Sequence, residues 1–79
     1  MPQYIVNYNG IDYESPDWLS ALKEARTIVD SVSGEPDCIS ILSLLRITSE
    51  EECIKSGSST IYRVITKHGI QPVLVVYVS

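Results

Sequence analysis

Three side chains in this sequence could serve nucleophilic or acid–base catalysis: Cys38, Cys53 and His68. A thiol and an imidazole can form a nucleophile–base pair even when they come from distant positions in a chain. Histidine exchanges a proton readily near neutral pH, and this single histidine precedes Gly69 in a predicted turn. The sequence contains no GxSxG, HExxH or Walker-type motif and no glycine-rich phosphate loop. We therefore expect no enzymatic activity and no cofactor, and an exposed turn position for His68.

The same three residues are too few for a structural zinc site, which takes four Cys or His ligands. The two cysteines are separated by 14 residues and form no CxxC pair. Small secreted scaffolds generally carry more cysteines, so we expect two reduced thiols, although a single disulfide stays open. The start MPQYIVNYNG does not resemble a signal peptide, and no apolar run approaches the roughly 18 residues of a membrane span. We expect no metal, no membrane insertion and a cytoplasmic location.

The acidic residues say more about function than the cysteines and the histidine do. Ten acids against six bases give a net charge of −4, which disfavours binding to phosphate backbones and favours a basic protein surface. If the loops that carry most of the acids meet at one end of the fold, they form a patch suited to an arginine- or lysine-lined groove. The candidate partner-binding residues are Asp12, Glu14, Asp17, Glu35, Asp37, Glu50, Glu51 and Glu52.

A β-hairpin is predicted at the start of the chain. Asn9-Gly10 separates two β-prone runs, YIVNY and IDYE, and this dipeptide is typical of a type I′ turn. A two-residue loop pairs Tyr8 with Ile11, and Val6 with Tyr13. The register places one apolar set on a single face: Tyr4, Val6, Tyr8, Ile11 and Tyr13.

An amphipathic helix is predicted from Pro16 to Ser33. Ser15 is the expected N-cap, Pro16 the first helical residue, and Gly34 the left-handed residue that ends the helix. The apolar residues recur at helical spacing and predict a face that packs on a sheet. That stripe consists of Trp18, Leu22, Ala25, Val29 and Val32, widened by Ala21 and Ile28.

The rest of the chain is predicted to complete an antiparallel sheet. Residues 38–47 (CISILSLLRI) favour a central strand with a bulge, with Ile39 and Ile41 on one face, and a short helix is the alternative. Ser49 and Glu52 form a capping box for a short helix that ends near Gly57. Strands follow at 60–67 and 72–78, joined by a loop at 68–71. The fold class is α+β: one domain over residues 1–79, with about five strands in the order ββα-β-short α-ββ and one long helix on one face.

The last strand and the basic residues support two alternative functions. PVLVVYV shows no polar alternation, which predicts burial on both faces or contact with a second chain. A homodimer could then form by edge pairing through Val73, Val75 and Tyr77. Less favoured is nucleic-acid binding on the open sheet face, where Arg46, Arg63 and Lys67 would lie near stacking tyrosines.

The layout resembles that of small phage-encoded inhibitor and accessory proteins, including anti-CRISPR inhibitors. The resemblance covers YIVNYNG, ESPDWLSALKEARTIV and TIYRVITKHGIQPVLVVYV, and it is one of size and element order without a diagnostic motif. It implies a non-enzymatic protein in the cytoplasm of a bacterial host that occupies a nucleic-acid-binding or assembly surface of a larger effector. We expect a small acidic inhibitor or adaptor; the alternatives are the self-associating domain and the nucleic-acid binder.

Overall fold

The chain forms one five-stranded antiparallel sheet with the strand order β2-β1-β5-β4-β3, and both helices pack on the same face of it. The computed structural model describes residues 3–78. The elements are β1 (Tyr4–Tyr8), β2 (Ile11–Ser15), α1 (Trp18–Val32), β3 (Cys38–Ser43), α2 (Glu50–Ser56), β4 (Ser58–Thr66) and β5 (Gly69–Tyr77). The predicted α+β class and the predicted order of elements are confirmed.

The β1–β2 hairpin has the predicted register, with Tyr8 opposite Ile11 and Val6 opposite Tyr13. Asn9 and Gly10 both adopt positive φ angles, 53° and 80°, as a type I′ turn requires. This turn twists in the same sense as the strands, so the hairpin closes without a bulge.

Helix α1 begins two residues later than predicted. Asp17, not Ser15, is the N-cap, and its carboxylate accepts a hydrogen bond of 2.8 Å from the backbone N–H of Ser20. Ser15 is buried at the end of β2, opposite Tyr4, because the strand continues through it. The predicted C-terminus is also wrong in detail: Ser33 caps the helix with αR geometry, and Gly34 does not adopt a positive φ.

The predicted apolar stripe of α1 forms one side of the core. Its fully packed members are Ala21, Ala25, Ile28, Val29 and Val32, while Trp18 and Leu22 are half-buried against the same cluster. The sheet contributes buried valines from β1, β4 and β5 that face the helices: Val6, Val64, Val73 and Val75. The core therefore lies between α1 and the central strands.

Residues 38–43 form a strand, as predicted, but the predicted central position is wrong, because β3 pairs with β4 alone and lies at the edge of the sheet. Strand β3 ends at Ser43, and the chain turns before α2. The expected bulge lies between Cys38 and Ser40, and it moves Ile39 out of line with Ile41, leaving Ile39 63% exposed. The prediction that these two isoleucines share a face is therefore wrong.

Helix α2 follows its predicted boundaries. The Ser49 hydroxyl accepts a hydrogen bond of 3.3 Å from the Glu52 N–H, and Gly57 ends the helix in the left-handed conformation with φ 88°. Its one buried residue, Cys53, packs against the core beside Val75. The short helix thus closes the end of the core that α1 leaves uncovered.

Strand β5 occupies the centre of the sheet, between β1 and β4. Edge pairing through Val73, Val75 and Tyr77 is therefore a wrong prediction, since β4 pairs along one side of β5 and β1 pairs with residues 74–77 on the other. Val73 and Val75 are fully buried, and Tyr77 packs against the Tyr4 ring at 5.6 Å. One face of β5 is buried beneath the helices and the other is open, so the chain itself covers only one of the two faces that the apolar run predicts to be buried. The β4–β5 turn is two residues long instead of four.

Candidate partner-binding groove

An open groove of about 370 Å³ separates the C-terminal half of α1 from the β1–β2 hairpin. One wall carries tyrosine rings and an exposed isoleucine, and the other carries polar side chains of the helix. The lining residues are Tyr8, Asn9, Ile11, Tyr13, Glu24, Thr27, Ile28, Ser31, Val32 and Glu35. We call this feature the hairpin groove. It combines apolar surface with two carboxylates and is large enough for a side chain of a partner protein.

The helical repeat explains one wall of the hairpin groove. Glu24, Thr27 and Ser31 follow one another at spacings of three and four residues, so they lie along one flank of α1. Ile28 belongs to the buried stripe beside this flank. The flank is therefore polar but adjoins the core, and Glu24 is half-buried in consequence.

The strand pairing explains the other wall. Tyr8 and Tyr13 lie on the helix-facing side of the hairpin, because they share that face with buried Val6. Both tyrosines are half-buried, and Ile11, opposite Tyr8, is 55% exposed. The hairpin extends past the end of the core here, so its aromatic and aliphatic side chains remain accessible.

A second, smaller pocket of about 170 Å³ continues the hairpin groove around the end of α1. The two share Tyr8, Asn9, Val32 and Glu35, and the smaller pocket adds Asp37 and His68 among its lining residues. Asp37 Oδ2 lies 3.7 Å from His68 Nε2. The continuous depression therefore carries three carboxylates, those of Glu24, Glu35 and Asp37.

Electrostatics favour a cation in this depression. The C-terminus of a helix carries a partial negative charge, and the last turn of α1 has no basic residue to offset it. Burial raises the pKa of the Tyr8 phenol, and the nearby Glu35 carboxylate raises this pKa further. Tyr8 therefore stays protonated at neutral pH and presents a ring and a hydroxyl donor beside negative charge.

The eight acids predicted to bind a partner do not form one patch. Only Glu35 and Asp37 line the depression. Helix α1, about 22 Å long at 1.5 Å per residue, separates them from the acids around its N-terminus.

The other six acids occupy three further places. Asp17 precedes Trp18, whose ring packs 5.6 Å from that of Tyr4, and the Tyr4 hydroxyl donates to Glu50. Glu50 thus contacts Tyr4 directly, whereas Asp17 is linked to it only through the neighbouring Trp18. The remaining acids are exposed: Glu51 and Glu52 on α2, and Asp12 and Glu14 on the sheet face that the helices leave open.

Of the residues that line the hairpin groove, only Glu35 was in the predicted binding set, and the residues it lacked include Tyr8, Tyr13 and Glu24. The two tyrosines were placed on the core face correctly, but the hairpin extends beyond the core at this point. Glu24 lies four residues before Ile28, at the margin of the apolar stripe, and that spacing marks a position beside the core.

No nucleophile–base pair forms between the cysteines and the histidine within residues 3–78. Cys38 lines the smaller pocket with His68, but its thiol contacts the carbonyl oxygen of Ser40 at 3.9 Å. Cys53 is fully buried and its thiol donates to the carbonyl of Val75 at 3.4 Å. Burial raises the pKa of the Cys53 thiol. Both cysteines are free, and in the same residues no three Cys, His, Asp or Glu side chains are grouped to hold a metal ion.

The open sheet face lacks the aromatic surface expected of a nucleic-acid binder. All five tyrosines have positions on the helix-facing side of the sheet: Tyr4, Tyr8, Tyr13, Tyr62 and Tyr77. Arg63 lies on the open face, whereas Arg46 and Lys67 lie in turns. The predicted juxtaposition of these cations with stacking tyrosines is therefore wrong.

Comparisons of the chain with models of protein families, with curated proteins and with solved structures find no match. Among residues 3–78, neither helix has the length and apolar character to cross a membrane.

Proposed function

We propose that this protein is a non-enzymatic binding module, a small acidic inhibitor or adaptor that engages a basic, nucleic-acid-handling surface of a larger effector. The observation that carries the proposal is the hairpin groove, in which Tyr8 and Tyr13 lie opposite the carboxylates of Glu24 and Glu35. An arginine side chain fits this combination, since its guanidinium stacks on aromatic rings and pairs with carboxylates.

The position of the groove supports a cationic partner over a neutral one. The net charge of −4 attracts a basic surface over a distance, and the uncompensated C-terminus of α1 adds negative potential at the groove. Ile11 supplies exposed apolar area at the rim, which the stem of a long basic side chain can cover. The same surface disfavours direct contact with a phosphate backbone.

A titration with a peptide of alternating arginine and glycine tests this proposal. Backbone amide resonances of the isotope-labelled protein report which residues the peptide contacts. We expect the shifts to concentrate on Tyr8, Tyr13, Glu24 and Glu35, and to disappear with a peptide of alternating glutamate and glycine. Shifts centred on α2, or distributed evenly over every exposed acid, would refute the hairpin groove as the binding surface.

Capture from a bacterial lysate then identifies the effector. The tagged protein is applied at low salt and at about 1 M salt, where the Debye length falls to about 3 Å. We expect a nucleic-acid-handling protein that is retained only at low salt and is lost with the double variant Glu24→Gln/Glu35→Gln. The double variant Glu51→Gln/Glu52→Gln removes the same charge from exposed sites on α2 and is the matched control.

A further inference from the structure

The sheet face opposite the helices carries an apolar surface that nothing covers within residues 3–78. Side chains alternate along a strand, so the residues between the buried valines of β5 point to this open face. The strand register puts the neighbouring positions of β1, β3 and β4 beside them. The apolar members of this open-face surface are Ile5, Leu42, Ile65, Ile70, Pro72, Leu74 and Val76.

The apolar residues follow the central strand. All four open-face positions of β5 are apolar: Ile70, Pro72, Leu74 and Val76. A strand with one solvated face normally alternates apolar with polar residues, and this one does not. Ile70 is 63% exposed. Continuous apolar surface of this kind on a small protein marks an interaction site.

Charges of opposite sign flank the apolar strip. Asp12 and Glu14 belong to β2, two strands to one side of β5, while Arg63 belongs to β4 on the other side. None of the three forms a salt bridge within residues 3–78, where Arg26 pairs with Asp30 and Asp37 lies 3.7 Å from His68. The open face is therefore acidic at one margin and basic towards the other.

We propose that a second copy of this chain covers the open face, so that two sheets pack face to face. A two-fold axis along β5 places the β2 margin of one copy over the β4 side of the other. Asp12 and Glu14 of each copy then lie near Arg63 of the other, and Leu74 packs at the centre. Aligned packing at about −30° is the common arrangement for two stacked sheets. The charge pattern is thus self-complementary, as a two-fold interface requires.

The outline of the face leaves room for an interface of standard size. The molecule measures 36 × 23 × 18 Å, and its shortest dimension is the thickness of one helix layer on one sheet. A face of 36 by 23 Å encloses about 800 Å², which is the area each partner buries in a standard protein–protein interface.

The dimer would leave both hairpin grooves accessible. Each groove lies on the helix-facing side of its own sheet, so two copies form a four-layer particle with the grooves on its outer layers. Two grooves per particle increase apparent affinity for a partner with repeated basic sites. The dimer does not depend on the proposed function, because the two surfaces share no residue.

Sedimentation velocity of the full chain, at concentrations from about 1 µM to about 1 mM, tests the dimer. An interface of standard size is expected to convert monomer to dimer within this range. We expect a species of twice the 8.8 kDa chain mass that dissociates on dilution. Leu74→Asp introduces two buried charges at the centre and should weaken association about 100-fold or more. Leu19→Asp, at a position 69% exposed on α1, is the matched control and should leave the mass unchanged.

A charge-swap series keeps the test valid if Leu74→Asp does not fold. Arg63→Asp should weaken association about tenfold or more, and Arg63→Asp combined with Asp12→Arg should restore it. A chain mass of 8.8 kDa at every concentration would overturn the proposal. Persistence of the dimer in folded Leu74→Asp, or failure of the charge swap to restore association, would overturn it equally.

Discussion

Removing the hydroxyl of Tyr4 by the substitution Tyr4→Phe should change both the stability of the fold and its dependence on alkaline pH. Tyr4 is 1% exposed, and its hydroxyl donates to the Glu50 carboxylate, which links β1 to the start of α2. Near neutral pH we expect the free energy of unfolding to fall by about 1 kcal/mol, the value of one intramolecular hydrogen bond. The loss stays this small because exposed Glu50 can bind water instead.

At alkaline pH, the ionisable hydroxyl of Tyr4 lowers the free energy of unfolding instead of raising it. Burial, then the hydrogen bond to Glu50, and then the charge of Glu50 raise the pKa of Tyr4 above its ordinary value of 10.0. As the pH rises past that value, the unfolded chain releases the Tyr4 proton while the folded chain retains it. Deprotonation therefore favours unfolding, and this one group lowers the free energy of unfolding by about 1.4 kcal/mol per pH unit. Tyr4→Phe lacks this dependence.

Urea unfolding of the wild type and the variant, at a series of pH values from neutral to about pH 11, measures both effects. Circular dichroism reports the helices, and the fluorescence of Trp18, 5.6 Å from the Tyr4 ring, reports the local packing. Tyr77→Phe retains the Tyr4 hydroxyl and should retain its alkaline loss. We expect the stability advantage of the wild type to shrink or reverse at high pH; an advantage that stays constant across the series would refute the reasoning.

Three further substitutions and one chemical probe test the local structure. Gly57→Ala should cost about 1 kcal/mol in urea unfolding, because the left-handed φ of 88° is unfavourable for any residue with a Cβ; an unchanged midpoint would contradict this. Ile61→Ala removes a fully buried side chain and should lower the free energy of unfolding by about 2–5 kcal/mol. Ile47→Ala, at a site 77% exposed, should change it by no more than about 0.5 kcal/mol, and similar losses for the two variants would contradict the position of the core. Cys53 should resist a thiol reagent in the native protein and react in urea, because the thiol is buried and its pKa is raised. Mass spectrometry measures the two rates, and equal rates would exclude this burial.

Local rules predicted the elements whose determinants lie close together in the chain. Asn9-Gly10 specifies its own turn geometry, so the hairpin register followed from the turn and the two runs beside it. Ser49 and Gly57 bracket α2 for the same reason. The apolar repeat of α1 also predicted its buried face, since helical spacing needs no tertiary information.

Positions that depend on tertiary pairing were not predictable in this way. Strand order is not encoded locally, so an apolar C-terminal run is equally typical of a central strand and of a strand that meets a second chain. Serine and aspartate are both favoured N-cap residues, so residue type does not distinguish Ser15 from Asp17. Strand β2 extends through Ser15 because Tyr4 pairs with Ser15. The bulge that exposes Ile39 depends likewise on how β4 pairs with β3.

The candidate site was predicted only in part. Charge indicated a basic partner, and Glu35 and Asp37 proved to line the depression at the end of α1. The aromatic wall could not be derived from the sequence, because Tyr8 and Tyr13 look like core residues until the length of the hairpin relative to α1 is known. All eight acids could meet only if the loops beside α1 and α2 lay at one end of the molecule. Instead, the length of α1 separates the acids near one of its ends from those near the other.

The affinity of a peptide of alternating arginine and glycine for two double variants tests the central claim most directly. Calorimetry at low salt compares Glu24→Gln/Glu35→Gln with Glu51→Gln/Glu52→Gln, which carry the same net charge. Two lost ion pairs of about 0.5–1 kcal/mol each predict a 5- to 30-fold weaker affinity for the first variant, and little change for the second. Equal affinities for the two variants would contradict the account, because attraction to net charge alone would then explain the binding.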